Sequence, residues 1–558
     1  MVPPQPSSPS SVWGASTRTR FHPRVTPGFS HSGWRPSRPA SGVSLRAPAP
    51  MSHHALAEIA ALLGAGGAVA VLVAGRRMAL FLGFALLAAA EAMLAVALVP
   101  ARDLQYLSTP GRLTALALGG LAALALAALL ARLPALVPVC VLVAAPFRLP
   151  IDLGSQHAFL LVPLYAVLAA SSLALVVRAW RGQVGRIPLV LSLPAAAFIA
   201  FDAASLLWAR DPAQGSIQLL FFIFPFASLV AVVARAPYVP WLPRALATTL
   251  VALAAVFAAI GLYQAWTRTL FFAQDLRVAN AYTSYFRVTS MFKDPSIYGR
   301  HLVLAIVLLV VLLWLGKVRL VVAAPLVGLL FLGLYFSYSQ SSMVVLFAAS
   351  LLATLVLADR RSRRVVLVAA LVAAVAGGTV AATSAHKASI QKATSGRSRL
   401  VSITTTVIAN HPMIGVGVGS QPLASRQETG RRSVAKSASH TTPLTVAAEL
   451  GAIGFLLYLA FLAGAVRVLV LARRRHGPAA LGLAGAFLVL FLHSLFYSGF
   501  FEDPITWGTL AVAASSLAAP APAPAAEAKT RELRARRVPL STGAPPVPAP
   551  ADLAKPDA

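Results

Sequence analysis

Charged residues, acidic residues and cysteine are all scarce in this 558-residue chain. Only 11% of the residues are charged, whereas a soluble globular domain has roughly a quarter. This shortage excludes a soluble enzyme and a largely disordered protein. Cys140 is the single cysteine, which excludes a disulfide framework or a cysteine metal site within one chain. The hydrophobic content of 58% and the mean hydropathy of +0.76 instead indicate a polytopic membrane protein.

The formal net charge of +30 comes from 47 basic and 17 acidic residues. In a soluble protein such an excess would suggest binding to nucleic acid. Here the basic residues stand mainly in short clusters between apolar segments, so the excess is better explained by orientation in the membrane. We therefore expect a lipid bilayer around the protein and no nucleic-acid partner.

The two ends of the chain differ in composition from the rest. Residues 1–50 contain ten prolines, six arginines and no acid, which predicts a disordered tail or a mis-assigned start ahead of Met51. Residues 520–558 contain nine prolines and a basic cluster that begins at Arg531, which predicts a disordered tail on the cytoplasmic side. The remaining residues, 51–519, are predicted to form the transmembrane domain.

Fifteen apolar segments approach the length of roughly 20 residues that crosses a bilayer as a helix. They are too long and continuous for the alternating pattern of a β-barrel. The predicted fold class is all-α, a polytopic transmembrane bundle of about 13–15 helices with a large extracytoplasmic loop. The segments are 55–75, 78–100, 112–132, 134–150, 157–177, 188–208, 217–234, 245–266, 299–316, 318–337, 341–358, 365–385, 443–472, 478–499 and 504–519, of which 134–150 and 504–519 are short.

Clusters of lysine and arginine between these segments predict which connections are cytoplasmic. The clusters lie around residues 76–77, 178–186, 235–244, 317–319, 360–364 and 473–475. The connections 209–216, 267–298 and 386–442 then lie outside. Loop 386–442 holds eight basic residues and one acid, Glu428. It is either a solvated basic loop or an anion site in which arginines grip phosphate oxygens.

Four segments in order resemble the O-antigen ligase and O-antigen polymerase superfamily of membrane glycosyltransferases, over about residues 200–510. They are FRVTSMFKDPSIYGRHL (286–302), SYSQSS (337–342), GRSRLVSITTTVIANHPMIGVGVGS (396–420) and HTTPLTVAAELGAIG (440–454). The chain departs from the family pattern at four positions. Ser290 and Ser296 replace Gly and Asn, Gln340 replaces Arg, and Thr441 replaces Asn, Ser or Gln.

The resemblance implies transfer of a glycan from a polyprenyl-diphosphate lipid, such as undecaprenyl diphosphate, to an acceptor hydroxyl. The reaction would take place on the outer face of the cytoplasmic membrane, without a metal or other cofactor. The acceptor would be a glycan, a lipid or a protein. A ligase is favoured by the pattern His, Thr, nine residues, Gly-x-x-Gly, but a polysaccharide polymerase remains an alternative.

The resemblance also implies roles for individual residues. Arg287 and Arg397 match the family's two diphosphate-binding arginines, with Arg399 as a competitor of Arg397, and His440 matches its general base. Each has a plainer interpretation. Arg287 would be an interfacial arginine, Arg397 a solvated loop charge, and His440 a residue that caps the following helix.

Three further residues are possible supporting members of the site. Lys293 adds positive charge to loop 267–298. His411 precedes Pro412 and a glycine-rich turn, which favours a structural role. Glu449 lies within the ligase-like motif and is expected to face the protein interior. An alternative from another class is a transporter or flippase of lipid-linked or anionic substrates. Such a protein should show inverted repeats, and the chain has no clear internal repeat.

Overall fold

The computed structural model of the chain describes residues 53–98, 110–153, 156–368, 397–430 and 438–518. Within these ranges the fold is a bundle of α-helices, as the hydropathy pattern predicts, and it includes one short β-hairpin that was not predicted. Its elements are α1 (His53–Val73), α2 (Arg77–Leu98), α3 (Pro110–Arg132), α4 (Val137–Ala144), β1 (Leu149–Leu153), β2 (Gln156–Leu160), α5 (Val162–Trp180), α6 (Leu189–Trp208, with a 3₁₀ last turn), α7 (Pro212–Ala234, with a π-helical turn), α8 (Leu242–Thr267), α9 (Gln274–Ala281), α10 (Pro295–Trp314), α11 (Leu320–Ser337), α12 (Gln340–Leu357), α13 (Arg397–Asn410), α14 (Gln421–Thr429), α15 (Thr442–His476), α16 (Leu481–Ser494) and α17 (Pro504–Ala518).

Ten helices of the described ranges are long and apolar enough to cross a membrane, or up to eleven if one bent pair is a single span. The chain is thus a multi-pass membrane protein. Large apolar side chains point outward from several of these helices, among them Leu82, Val256, Val321 and Phe347. Most of the predicted segment 365–385, from residue 369 onward, lies outside the described residues. The predicted tails 1–50 and 520–558 lie outside them as well.

The predicted segment 134–150 does not form a straight span of its own. A 3₁₀ turn, Pro134–Leu136, leads into α4, which ends at Ala144, and the helical pair of 117–132 and 134–144 bends by 110°. Prolines in this stretch remove backbone donors, and the eight residues of α4 rise only about 12 Å. The chain then turns into an antiparallel hairpin in which Leu149 pairs with Leu160.

Helix α15 is broken near its start, although the hydropathy pattern predicts a continuous helix over 443–472. Gly451 has φ 62° and ψ −161° inside the helix. A side chain is strained in such a backbone conformation, whereas glycine tolerates it. The break therefore falls at the first glycine of the Gly-x-x-Gly motif.

An aromatic cluster joins α6, α15 and the N-terminal end of α17. The rings of Phe198 and Phe501 stack with centroids 4.5 Å apart, and Phe461 and Trp507 pack beside Phe501. Helix α17 is buried along most of its length. This cluster packs the middle of α6 and of α15 against the start of α17.

Candidate functional site

The glycine-rich segment that follows His411 docks by its backbone onto the broken part of α15. The N–H groups of Val416 and Gly417 donate to the carbonyl oxygens of Ala448 and Glu449 at 3.0 and 2.8 Å. These two carbonyls lie just before the non-helical Gly451. The loop thus supplies donors to carbonyl groups that the break removes from the helical ladder.

The same segment is held on its other side by the last turn of α6 and by the connection to α7. The N–H of Arg210 donates to the carbonyl of Val416 at 3.1 Å, and the Ser205 hydroxyl accepts from the N–H of Val418 at 2.9 Å. Gly417 has φ 88°, and a Cβ there would collide with the backbone of Ala209. The segment therefore requires glycine both for its conformation and for its close packing.

His411 lies in a polar cluster at the edge of this contact between the glycine-rich segment and α15. Its Nε2 is 2.6 Å from Nη2 of Arg210 and 3.2 Å from Oε1 of Glu428. Arg210 also donates to Glu428 at 2.8 Å, and the amide of Asn410 donates to the other Glu428 oxygen at 3.0 Å. Glu428, the one acid of the predicted loop, therefore joins α14 to the connection that precedes α7.

Gln421, which sequence reasoning missed, connects the parts of the site. Its backbone N–H donates to Glu449 at 3.2 Å, and its side-chain amide donates to Thr404 and Ser425 at 3.2 and 2.8 Å. Its side-chain oxygen accepts from the N–H of Ser439 at 2.8 Å. The residue is fully buried. A glutamine at the start of a loop helix has no distinctive pattern in sequence, so its role emerges only from its partners.

His440 is exposed and follows directly on the Ser439 that Gln421 binds. On its other side Thr441 caps α15, its hydroxyl accepting from the N–H of Leu444 at 3.4 Å. The backbone on both sides of His440 is therefore fixed, while its imidazole is accessible.

Helix α13, which begins at Arg397, reaches the same region through Thr404 and a small apolar cluster. Val407 of α13 packs with Val416, Ala424 and Ala448. Arg399 is exposed in the first turn, and the side chain of Arg397 lies outside the described part of the chain. The structure thus brings α13, His411, Glu449 and the His440 segment together.

Arg287 belongs to a separate cluster built from the other two motif segments. Its Nε donates to the carbonyl of Ser337 at 3.3 Å, and its backbone N–H and C=O pair with the side chain of Asn280. Val288 N–H donates to the carbonyl of Phe336 at 3.1 Å. Arg287 is half-buried, whereas Lys293 is exposed. No hydrogen bond within the described ranges joins Arg287 to the segment around His440.

Ser290 occupies a position where the family pattern has glycine, and its φ is 53°. The side chain of Gln264 in α8 holds this turn. Its oxygen accepts from the N–H groups of Thr289 and Ser290 at 3.2 and 2.8 Å, and its nitrogen donates to the Ser290 carbonyl at 2.8 Å. The hydrogen bonds of Gln264 thus stabilise a left-handed turn whose backbone conformation is unfavourable in free energy for a residue other than glycine, such as Ser290.

A buried ion pair links α10 to the start of α17. Nη2 of Arg300 lies 2.7 Å from Oδ2 of Asp503, with the two side chains 6% and 2% exposed. Asp503 also accepts from the N–H of Ile505 at 2.8 Å. Beside it, burial raises the pKa of Glu502, against the opposing effects of Arg148 and of the Gln218 hydrogen bond. Neither Arg300 nor the ion pair was predicted.

The described residues contain no group of three or more His, Cys, Asp or Glu side chains arranged to hold a metal ion. No curated protein sequence matches the chain. Residues 325–459 match the family model for O-antigen ligase. The matched range includes His411, His440, Glu449 and Gly451, and it begins after the 286–302 motif that contains Arg287 and Arg300. This match confirms, for that part of the chain, the resemblance to the O-antigen ligase superfamily that the motifs carry.

Proposed function

We propose that the protein transfers a glycan from a polyprenyl-diphosphate lipid to an acceptor hydroxyl, as a ligase, on the outer face of the cytoplasmic membrane. The observation that carries the proposal is the Gln421 network, which fixes the His440 segment beside the arginine-bearing helix α13. A base and a phosphate-binding group are the two components that this reaction needs. The O-antigen ligase match over 325–459 supports the same class of reaction.

In the proposed reaction, the acceptor oxygen forms a bond to the anomeric carbon as the bond from that carbon to the diphosphate breaks. The acceptor proton passes to the imidazole of His440, which acts as general base. The departing lipid diphosphate carries negative charge, and Arg287, Arg397 and Arg399 are proposed to stabilise it through charge-assisted hydrogen bonds. Lys293 adds positive charge nearby, and His411 and Glu449 position the loop.

The test is transfer by the purified full-length protein from a radiolabelled polyprenyl-diphosphate glycan. We expect new glycosidic bonds and release of the lipid diphosphate. His440→Ala should reduce the single-turnover rate by about 10²–10⁴ with donor binding retained. His54→Ala is the matched control, since His54 is also exposed but lies in α1, where it pairs with Glu58.

The product distinguishes the alternatives. One addition per acceptor supports a ligase, whereas a ladder of lengthening glycans would replace the ligase with a polymerase. Movement of the donor across the membrane without any new glycosidic bond would overturn the proposal in favour of a transporter or flippase.

A further inference from the structure

A cavity of about 60 Å³ lies where α6, α7, the first turns of α15 and the connection before α17 meet. Asp202, Glu449 and Glu502 line it, together with Gln218 and Thr442. Three carboxyl groups facing one small space do not by themselves define a binding site. Two other polar atoms in its wall point to a missing ligand.

Oδ2 of Asp202 and Oγ1 of Thr442 are buried without a hydrogen-bond partner among the described residues. The two residues are only 6% and 4% exposed. Buried polar atoms are nearly always hydrogen-bonded, because leaving one unpaired is costly. Both residues line the same cavity, so a hydroxyl-bearing molecule in the cavity would satisfy both.

The other polar groups of the wall are already oriented by the protein. Glu449 Oε1 accepts from the N–H of Gln421 at 3.2 Å, and Glu502 Oε1 accepts from the amide of Gln218 at 3.5 Å. Carboxylate groups with fixed orientations are strong acceptors for hydroxyl donors. Phe198, Phe222 and Phe501 supply an apolar part of the wall.

These features exclude several classes of ligand. An anion is disfavoured because carboxyl groups line the cavity and no cationic side chain is among its lining residues. A metal ion is disfavoured because the carboxyl groups do not converge into a set of three possible ligands in the part of the chain that the structure describes. A neutral molecule with several hydroxyl groups fits the wall, since it donates to carboxylates, accepts from threonine and packs against rings.

We propose that this cavity is a sugar subsite, which binds the hydroxyl-bearing edge of one sugar ring. A buried water needs about 10–15 Å³ of such space, so the cavity of about 60 Å³ has room for about four to six waters and accommodates the edge of a sugar, not a whole ring. The inference deepens the proposed glycan transfer and rests on it for its biological meaning. Thr442 follows His440 by two residues, so the bound sugar belongs to one of the two reacting substrates, the donor glycan or the acceptor.

The first experiment tests binding without any requirement for transfer. Saturation-transfer NMR is recorded on the full-length protein in detergent with a panel of methyl glycosides of glucose, galactose, mannose and rhamnose. We expect transfer to at least one sugar, a loss of about tenfold in affinity in Thr442→Val, as for one hydrogen bond to a bound ligand, and retention in Thr442→Ser. Asp202→Ala should also weaken binding, and Glu91→Gln, which changes a carboxyl that does not line the cavity, should not.

Thr442→Val keeps the shape of the side chain and removes only a hydroxyl that has no hydrogen-bond partner among the described residues, so a purely structural role predicts unchanged or higher stability. Wild-type protein that shows no saturation transfer with any sugar of the panel would overturn the subsite and leave a cavity for water. Equal affinities in the wild type and Thr442→Val would overturn it as well.

The second experiment identifies the source of the sugar. The KM values for donor and for acceptor are measured separately in wild type, Thr442→Val and Thr442→Ser. We expect Thr442→Val to raise one KM about tenfold, and that substrate is the occupant. Sugar binding without any glycan transfer would refute the proposed function and keep the subsite, whereas transfer with both KM values unchanged would refute the subsite alone.

Discussion

The N–H of Gly417 donates to the carbonyl oxygen of Glu449 at 2.8 Å, two residues before the break in α15 at Gly451. The loop segment and the helix break therefore form one structural unit. The N–H groups of the loop replace the helical N–H donors that the helix carbonyl groups lose at the break. The position of His440, which lies just before this helix, depends on both.

Gly451→Ala should lower the melting temperature and abolish transfer. Its φ of 62° is strained for alanine, and an added Cβ would collide with the backbone of Met413. The left-handed conformation alone costs about 1–2 kcal/mol. Thermal unfolding in detergent measures the effect. Gly66→Ala is the control, because Gly66 lies within α1 with open space around it and should be neutral or stabilising by up to about 1 kcal/mol.

Gln421→Ala should reduce turnover with little change in donor affinity. It removes the side-chain partners of Ser439, Thr404 and Ser425, which releases the backbone ahead of His440. Each lost hydrogen bond is worth about 0.5–1.5 kcal/mol. The control is Gln427→Ala, an exposed residue of the same helix. Normal single-turnover rates in Gln421→Ala would contradict a positioning role.

The spans of the bundle could be predicted because long apolar runs report directly on burial in lipid. The break at Gly451 could not, since it depends on donors from Val416 and Gly417. The motif residues His411, His440 and Glu449 were found by pattern. Gln421 and Gln264 were missed because a buried glutamine is recognised by its partners, which are distant in sequence.

Ser290→Gly should raise the free energy of unfolding by up to about 1 kcal/mol, because Ser290 has φ 53° and glycine adopts that conformation without strain. Chemical or thermal unfolding compares it with Ser284→Gly. Ser284 is exposed and not among the residues with positive φ, so its replacement should bring no gain. Destabilisation by Ser290→Gly would show that the turn is not strained.

Asp503→Ala should be severely destabilising, by about 3–5 kcal/mol, because it leaves the Arg300 charge buried without its partner. Glu428→Ala breaks the Arg210 pair, which is 30% and 13% exposed, and should cost less. Equal losses from the two variants would contradict this ranking. In a double-mutant cycle, adding Arg300→Met to Asp503→Ala should restore part of the lost stability, because it removes the unpaired buried charge.

The stability of the protein should depend on pH through Glu502. Burial raises the pKa of this carboxyl in the folded state, so the folded protein holds the proton more tightly than the unfolded chain. The stabilisation is present at low pH and is lost as pH rises through the folded-state pKa. Melting curves across pH should show a weaker decline in Glu502→Gln than in the wild type, and parallel curves would refute the prediction.

The bond from Ser439 to the side chain of Gln421 spans 18 positions of the chain. It closes the intervening residues into a loop whose two ends meet at one point. The entropy of closing such a loop grows only slowly with its length. Insertions between the two anchors, such as an epitope tag for topology mapping, should therefore leave the spacing of His440 and Glu449 unchanged.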